Sequence, residues 1–275
     1  MIQSLRNIKR KFKIACTVNW AKTLYFNFKM FPFSIAKKLP VFFYGSVKFT
    51  SLKGEIKIKT PIKSGMVGFG QPYEMTTRYR GIAELFLEGK IIINGHTQFG
   101  KDCFVYVKKD AQLQMGHMAS LASLGKIICT HSITLGTWAR IGSESQLMDT
   151  NFHQMIDTKN NEKIHSTNTI TIGNYNFISN RVSIMSNTST PDFCTIASNS
   201  LTNKNYTSLG KNTLIGGLPA KLLKENISRD WEGERESLEK NLIINEIESK
   251  FSVQKELLLA LMGIETNFGK YLGKM

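Results

Sequence analysis

The first fifty-four residues of this chain contain no acidic side chain; Glu55 is the first. Over residues 1–60, thirteen Lys and Arg stand against that one acid, and the whole chain carries a net charge of +15. A surplus of one sign selects anionic partners: nucleic acid, acidic lipid or a phosphorylated small molecule. No nucleic-acid-binding module accompanies it, which favours a membrane surface or an anionic substrate. Long apolar runs are missing too. No stretch of about eighteen apolar residues occurs, so no transmembrane helix is expected. The basic start (Arg6, Lys9, Arg10, Lys11, Lys13) leads into an apolar stretch, Ile14 to Val18, that is too short for a signal peptide. The expected location is the cytoplasm, including the inner face of its membrane. Cysteines are few, and Cys16, Cys103, Cys129 and Cys194 show no paired spacing, as suits buried thiols in a reducing compartment. No Gly-rich phosphate loop and no activated Ser or Cys motif is present, which disfavours an acyl-enzyme.

What is present is a period of six. From Asn168 to Leu201, stepping by six from Ile172 gives Ile178, Ile184, Thr190 and Ile196. Four residues beyond each position come Asn176, Val182, Thr188, Cys194 and Ser200, all small or branched. This period matches neither a helix at 3.6 nor the alternation of a single strand. It is the signature of a short-repeat parallel β-helix, in which three hexapeptides close one triangular coil. The large aliphatic side chain points into the prism and the small one fills beside it. The competing reading is a pair of ordinary strands joined by Asn- and Ser-rich turns.

The same pattern is visible earlier, with slips of register at the corners. Phe99-Gly100 steps to Val105 around Cys103; Met115-Gly116 steps to Leu121 and Ile127 around Ala119; Leu135-Gly136 steps to Ile141 and Leu147 around Ala139. A glycine after the inward aliphatic relieves crowding at the corner. The first strands are expected within Val41 to Ile62, and a turn of helix within Ser34 to Lys38. Between Asp149 and Thr167 the period is lost, which predicts a long polar loop thrown out of the prism.

Two flanking segments differ from the coil. Residues 1–60 interleave cations with Trp20, Tyr25, Phe26, Phe28, Phe31, Phe33, Phe42, Phe43 and Tyr44. Such a mixture suits a lipid interface, or a cap over the open end of the coil. Beyond Glu225, Leu238, Leu242, Ile247, Phe251, Leu258, Leu261 and Met262 recur near helical spacing. Asp230, Glu232, Glu234 and Glu236 stand where acids favour a helix start, and Gly263 and Gly269 weaken its end. The expected organisation is a basic, aromatic N-terminal segment capping the coil (1–60), a β-helix domain (61–224) with an extruded loop (149–167), and a C-terminal helical extension (225–275).

The coils, the loop histidine in Met148-Asp-Thr-Asn-Phe-His-Gln-Met155 and the ending Leu218-Pro219-Ala220-Lys221 together resemble the hexapeptide-repeat, left-handed β-helix acyltransferases. The opening Trp20-Ala-Lys-Thr-Leu-Tyr-Phe-Asn-Phe-Lys, followed by Lys38-Leu-Pro and Tyr44-Gly, is similar to the start of bacterial surface-polysaccharide O-acetyltransferases, akin to the maltose and galactoside acetyltransferases. The resemblance covers residues 20–224. It implies the left hand of the coil, which runs against the usual right-handed crossover. It also implies acetyl-CoA as donor and a homotrimer whose sites lie in clefts between neighbouring coils.

Carried over residue by residue, the resemblance makes His153 the catalytic base, with Asp149 orienting its ring or meeting the sugar. An imidazole suits removal of a hydroxyl proton during attack on a thioester. Phe177 falls at a position often aromatic, in Asn174-Tyr-Asn-Phe-Ile-Ser179, beside the pantetheine arm. Asn180 and Ser198 fall where backbone groups contact that arm. Lys204 and Lys224 fall where cations meet the cofactor's phosphates; as isolated residues they read equally as solvated surface charges. Asn203 replaces a common Thr. The γ-type carbonic anhydrases share this fold but need two zinc histidines five residues apart. No such pair exists among His96, His117, His131, His153 and His165, so no metal site is expected. The sequence therefore points to an all-β, acetyl-CoA-dependent O-acetyltransferase acting on a sugar or glycan acceptor by direct transfer. The alternatives are an amino-sugar N-acetyltransferase and a non-catalytic scaffold for anionic partners.

Overall fold

The computed structural model describes residues 17–71 and 81–236. The chain divides into two compact units, Met1–Ser228 and Arg229–Met275. The basic residues 6–13, Cys16 and the apolar positions from Leu238 to Met262, with Gly263 and Gly269, lie outside the described residues.

The first unit is a three-sided parallel coil. Strands β1 (Val41–Phe43), β2 (Val47–Leu52) and β3 (Glu55–Ile58) make the first turn. β4 (Val67–Gln71), β5 (Ala83–Leu87) and β6 (Lys90–Ile93) make the second. β7 (Thr97–Gly100), β8 (Phe104–Val107) and β9 (Gln112–Met115) follow, then β10 (Ala119–Leu121), β11 (Lys126–Cys129) and β12 (Ser132–Leu135). The fifth turn is β13 (Arg140–Ile141), β14 (Gln146–Met148) and β17 (Ile170–Ile172), with the hairpin β15 (Met155–Asp157) and β16 (Glu162–Ile164) inserted before β17. β18 (Phe177–Ile178), β19 (Ser183–Met185), β20 (Thr195–Ile196) and β21 (Leu201–Thr202) continue, and β22 (Leu214–Gly217) with β23 (Ala220–Lys224) closes the stack. We call the faces 1, 2 and 3. Face 1 runs β1-β4-β7-β10-β13-β18-β20-β22-β23, face 2 β2-β5-β8-β11-β14-β19-β21, and face 3 β3-β6-β9-β12-β17.

Register explains the period. On face 1, Phe43, Phe69, Phe99, Leu121, Ile141, Ile178, Ile196 and Ile215 stack in one inward column. Every one of them is buried, as are the small residues Cys103, Ala119, Ala139, Asn176, Val182, Thr188, Cys194 and Ser200. Thr190 fills its aliphatic place by pairing its polarity: its hydroxyl donates to Asn176 Oδ1 (2.7 Å) and accepts from Gly173 N (3.1 Å). Glycine is required at the corner after face 3. A Cβ on Gly116 would lie 2.4 Å from the Gly136 carbonyl carbon, and one on Gly136 would lie 2.6 Å from that of Gly173. The next coil passes too close for any side chain there.

The coil begins at Val41, inside the stretch 1–60, because β1–β3 pair in parallel with β4–β6. Before it stands α1 (Trp20–Met30), a helix that the sequence did not announce, and then the single turn α2 (Phe33–Ala36). Helix α1 lies along the free edge of β1. Asn27 Nδ2 donates to Val41 O (2.7 Å), Val41 N donates back to Asn27 Oδ1 (3.2 Å), and Phe43 N donates to Thr23 Oγ1 (3.0 Å). Buried side chains thus stand in for a neighbouring strand and close the edge of the stack.

In the second unit, residues 231–236 are helical, and the Asp230 carboxylate accepts from Gly233 N (3.3 Å) as an N-terminal cap.

Candidate functional site

The loop expected between 149 and 167 leaves the prism at the corner from face 2 to face 3. Its root is pinned. Asp149 is fully buried, and its carboxylate accepts from Thr130 N (2.7 Å), Thr130 Oγ1 (2.8 Å) and His131 N (2.8 Å), all on the corner one coil below. Thr150 and Thr167 bridge across the neck, and Thr150 Oγ1 donates to Ser166 O (3.1 Å). Beyond the neck the loop is ordered into the antiparallel hairpin β15–β16, in which Met155 pairs with Ile164. It is less polar than its composition suggests, since Phe152, Met155, Ile156 and Ile164 are all exposed.

His153 is exposed at the turn into this hairpin, its N–H donating to Asn151 Oδ1 (3.2 Å). Sequence reasoning missed the residues that hold this loop, Thr130 and His131. The signal was available only by counting corners: both fall one coil before Asp149.

The residues expected to meet acetyl-CoA divide between two edges. Phe177 projects half-buried from face 1, in register with Arg140 and Thr195, and Thr195 is in register with Leu214 and then Lys224. Asn180 and Ser198 are exposed on the corner from face 1 to face 2. Asn180 Oδ1 accepts from Ser143 N (3.0 Å), so this side chain also ties its corner to the coil below. These four residues form one track. It offers a ring face, exposed corner groups and, at its far end, an exposed cation.

Lys204 lies elsewhere. It follows β21 and directly precedes Asn205, which extends face 3 through the parallel bridges of Thr171, Ser189 and Asn205, and its ammonium sits 5.5 Å from the Tyr206 ring centroid. Face 2 lies between the corner where the hairpin is rooted and the corner that carries Asn180 and Ser198.

Cys103, Cys129 and Cys194 are buried free thiols. Burial pushes Cys103 up to about 12 and Cys194 up to about 11. Cys129 is raised by burial and then by the neighbouring Asp149 carboxylate. None is poised as a nucleophile at neutral pH. Among the described residues, no group of three His, Cys, Asp or Glu side chains is placed to hold a metal ion.

Residues 225–275 match the family model described as the Transglycosylase SLT domain. No curated protein sequence matches the chain. Among solved structures, the polySia-specific acetyltransferase NeuO is 16% identical over 72% of this chain and 82% of its own, with a TM-score of 0.42. A hexapeptide-repeat-containing acetyltransferase from Vibrio cholerae O1 biovar eltor, complexed with acetyl coenzyme A, is 21% identical over 45% of this chain and 64% of its own, with a TM-score of 0.38. A variant of the Bacillus cereus N-acyltransferase AntD, in complex with dTDP and coenzyme A, is 12% identical over 79% of this chain and 98% of its own, with a TM-score of 0.42. These overlaps are distant; by its own strand register, the chain is a hexapeptide-repeat parallel β-helix.

Proposed function

We propose that this protein is an acyl-CoA-dependent acyltransferase that moves an acetyl group onto a sugar hydroxyl of a bacterial surface polysaccharide or its precursor. The observation that carries the reading is His153, exposed on a hairpin that a rigid coil throws out and that Asp149 pins at the root. Such a loop brings a base to an acceptor too large to enter a closed cavity. In the reaction, His153 takes the hydroxyl proton while the sugar oxygen bonds the thioester carbonyl carbon. The carbon–sulfur bond then breaks and the sulfur leaves as the thiol after gaining a proton. Phe177, Asn180, Ser198 and Lys224 hold the donor along their track, and Lys204 meets it from the other edge. Asp149 acts as a positioning residue through the loop root. The match of residues 225–275 to a transglycosylase domain supports a glycan acceptor.

The hairpin root and the track of Phe177 stand on different corners of the coil, which supports a site completed by a second copy, and so the homotrimer. Face 2 offers a surface for it. Phe86, Tyr106, Ile128, Met148 and Met185 form one outward row in register, whereas the matching row of face 3 runs Ile92, Gln114, Thr134 and Thr171. An apolar row of this kind is a surface for association.

The test is turnover of acetyl-CoA with a panel of glycans. His153→Ala is expected to lower kcat by about 10²–10⁴-fold, with donor binding nearly unchanged. His165→Ala, on the same loop, is the control and retains activity. If both variants turn over like the parent, transfer does not run through this loop; if the parent itself turns over no glycan of the panel, a scaffold for anionic partners becomes the better reading. Product analysis on hydroxyl and amino acceptors separates O- from N-acetylation, which share donor and base.

A further inference from the structure

The end of the prism closed by α1 carries a second, unrelated surface. Helix α1 buries Thr23, Phe26 and Asn27 against the coil and turns Trp20, Leu24 and Phe28 outward, each four residues from the last. Phe28 meets Phe33 of α2 at 6.1 Å between ring centroids, so the stripe continues past the helix. Trp20 is 43%, Leu24 44%, Tyr25 53%, Phe28 49% and Phe33 71% exposed. Cations border it. Lys29 reaches over the Tyr25 ring (5.6 Å) and to its hydroxyl (3.3 Å), Lys22 lies 5.0 Å over Phe49, and Lys37 and Lys38 are exposed at the end of α2. No acid occurs anywhere before Glu55.

From this arrangement we infer that the α1–α2 end is a docking surface for an anionic lipid bilayer. Aromatic rings of this kind settle among headgroups, and lysines with their stems along the rings meet lipid phosphates. A second copy is a poor occupant, because face-to-face pairing sets lysine against lysine with no carboxylate to offset it. The inference does not depend on the acyl-transfer reading.

The experiment is co-sedimentation of the full chain with vesicles of phosphatidylcholine alone or mixed with phosphatidylglycerol. Binding is expected only when phosphatidylglycerol is present, and to weaken as salt rises. Combined Phe28→Ser and Phe33→Ser is expected to weaken it about tenfold or more with no change in melting temperature, because both rings face out. Combined Lys37→Glu and Lys38→Glu should weaken it by a similar factor. Failure to sediment with phosphatidylglycerol vesicles overturns the inference. So does binding that the ring variant leaves unchanged, which would assign it to cations elsewhere in the chain. Two other results overturn it: a concentration-dependent dimer that the ring variant abolishes, or an oligonucleotide held as tightly as the vesicles and lost in the same variant.

Discussion

Asp149 is one residue from a coil strand and four from His153, and the structure makes it the fixed point between them. Its two oxygens receive three donors from Thr130 and His131 in a fully buried setting. Hydrogen bonds to a charged acceptor are worth about 1.5–3 kcal/mol each, and a buried donor left bare costs about 1–3 kcal/mol. Asp149→Ala should therefore lower stability by roughly 3 kcal/mol, read as a shift in urea midpoint, and slow turnover through a loosened loop. Asp149→Asn keeps one acceptor oxygen and should fall between. A stable but inactive Asp149→Asn would instead mean that the carboxylate acts on the ring or the sugar directly. The thiols make a separate prediction. With Cys103 held at about 12 and Cys194 at about 11, and Cys129 also raised, native protein at pH 7.5 should leave all three unlabelled by iodoacetamide. Peptide mapping checks this, and labelling of Cys103 before unfolding would show that the coil opens locally.

At the level of elements, what could be read in the sequence depended on whether a periodicity matched its packing. Ile172, Ile178, Ile184 and Ile196 announced the coil because inward positions are both apolar and regularly spaced. Helix α1 escaped notice for the opposite reason. Its buried face carries Thr23 and Asn27, which serve as hydrogen-bond partners for β1, while Trp20, Leu24 and Phe28 look outward. An amphipathic reading expects the reverse. The cap gives a test of that account. Asn27→Ala leaves Val41 N and O without their partner in a dry environment, so it should cost about 2–4 kcal/mol and destabilise the first coil before the rest. Hydrogen exchange would show lost protection at residues 41–43 first. Uniform loss along the coil would mean that α1 does not protect the end locally. The loop was legible as an interruption of the period, but its hairpin was not. Met155, Ile156 and Ile164 are too few among polar neighbours to set a strand period.

Across the whole molecule, the motif located His153 in the sequence, yet nothing in it told which face each cofactor residue would occupy. That depends on the phase of every corner, and the slips between Val105 and Met115 and between Ile127 and Leu135 change the phase, as does the extruded loop. Once the phase is fixed, Phe177, Asn180, Ser198 and Lys224 lie on face 1 and its corner with face 2, while the hairpin that carries His153 is rooted at the corner of faces 2 and 3, with Lys204 at the start of face 3. On the proposed reading a single chain then holds two half-sites, and copies joined around face 2 are the simplest way to unite them. Met148→Glu, in the middle of the apolar row on face 2, should shift the sedimentation species from trimer toward monomer and lower activity without unfolding the coil. Complementation is the sharper measurement. His153→Ala and a double variant, Phe177→Ala with Lys224→Ala, should each be nearly inactive alone. Mixed by unfolding and refolding in equal amounts, they should recover about a quarter of the parental sites, since a random cyclic trimer pairs an intact loop with an intact track at that frequency. If the mixture stays as inactive as its components while trimers form, both half-sites must come from the same chain, and the path between them must be sought across face 2.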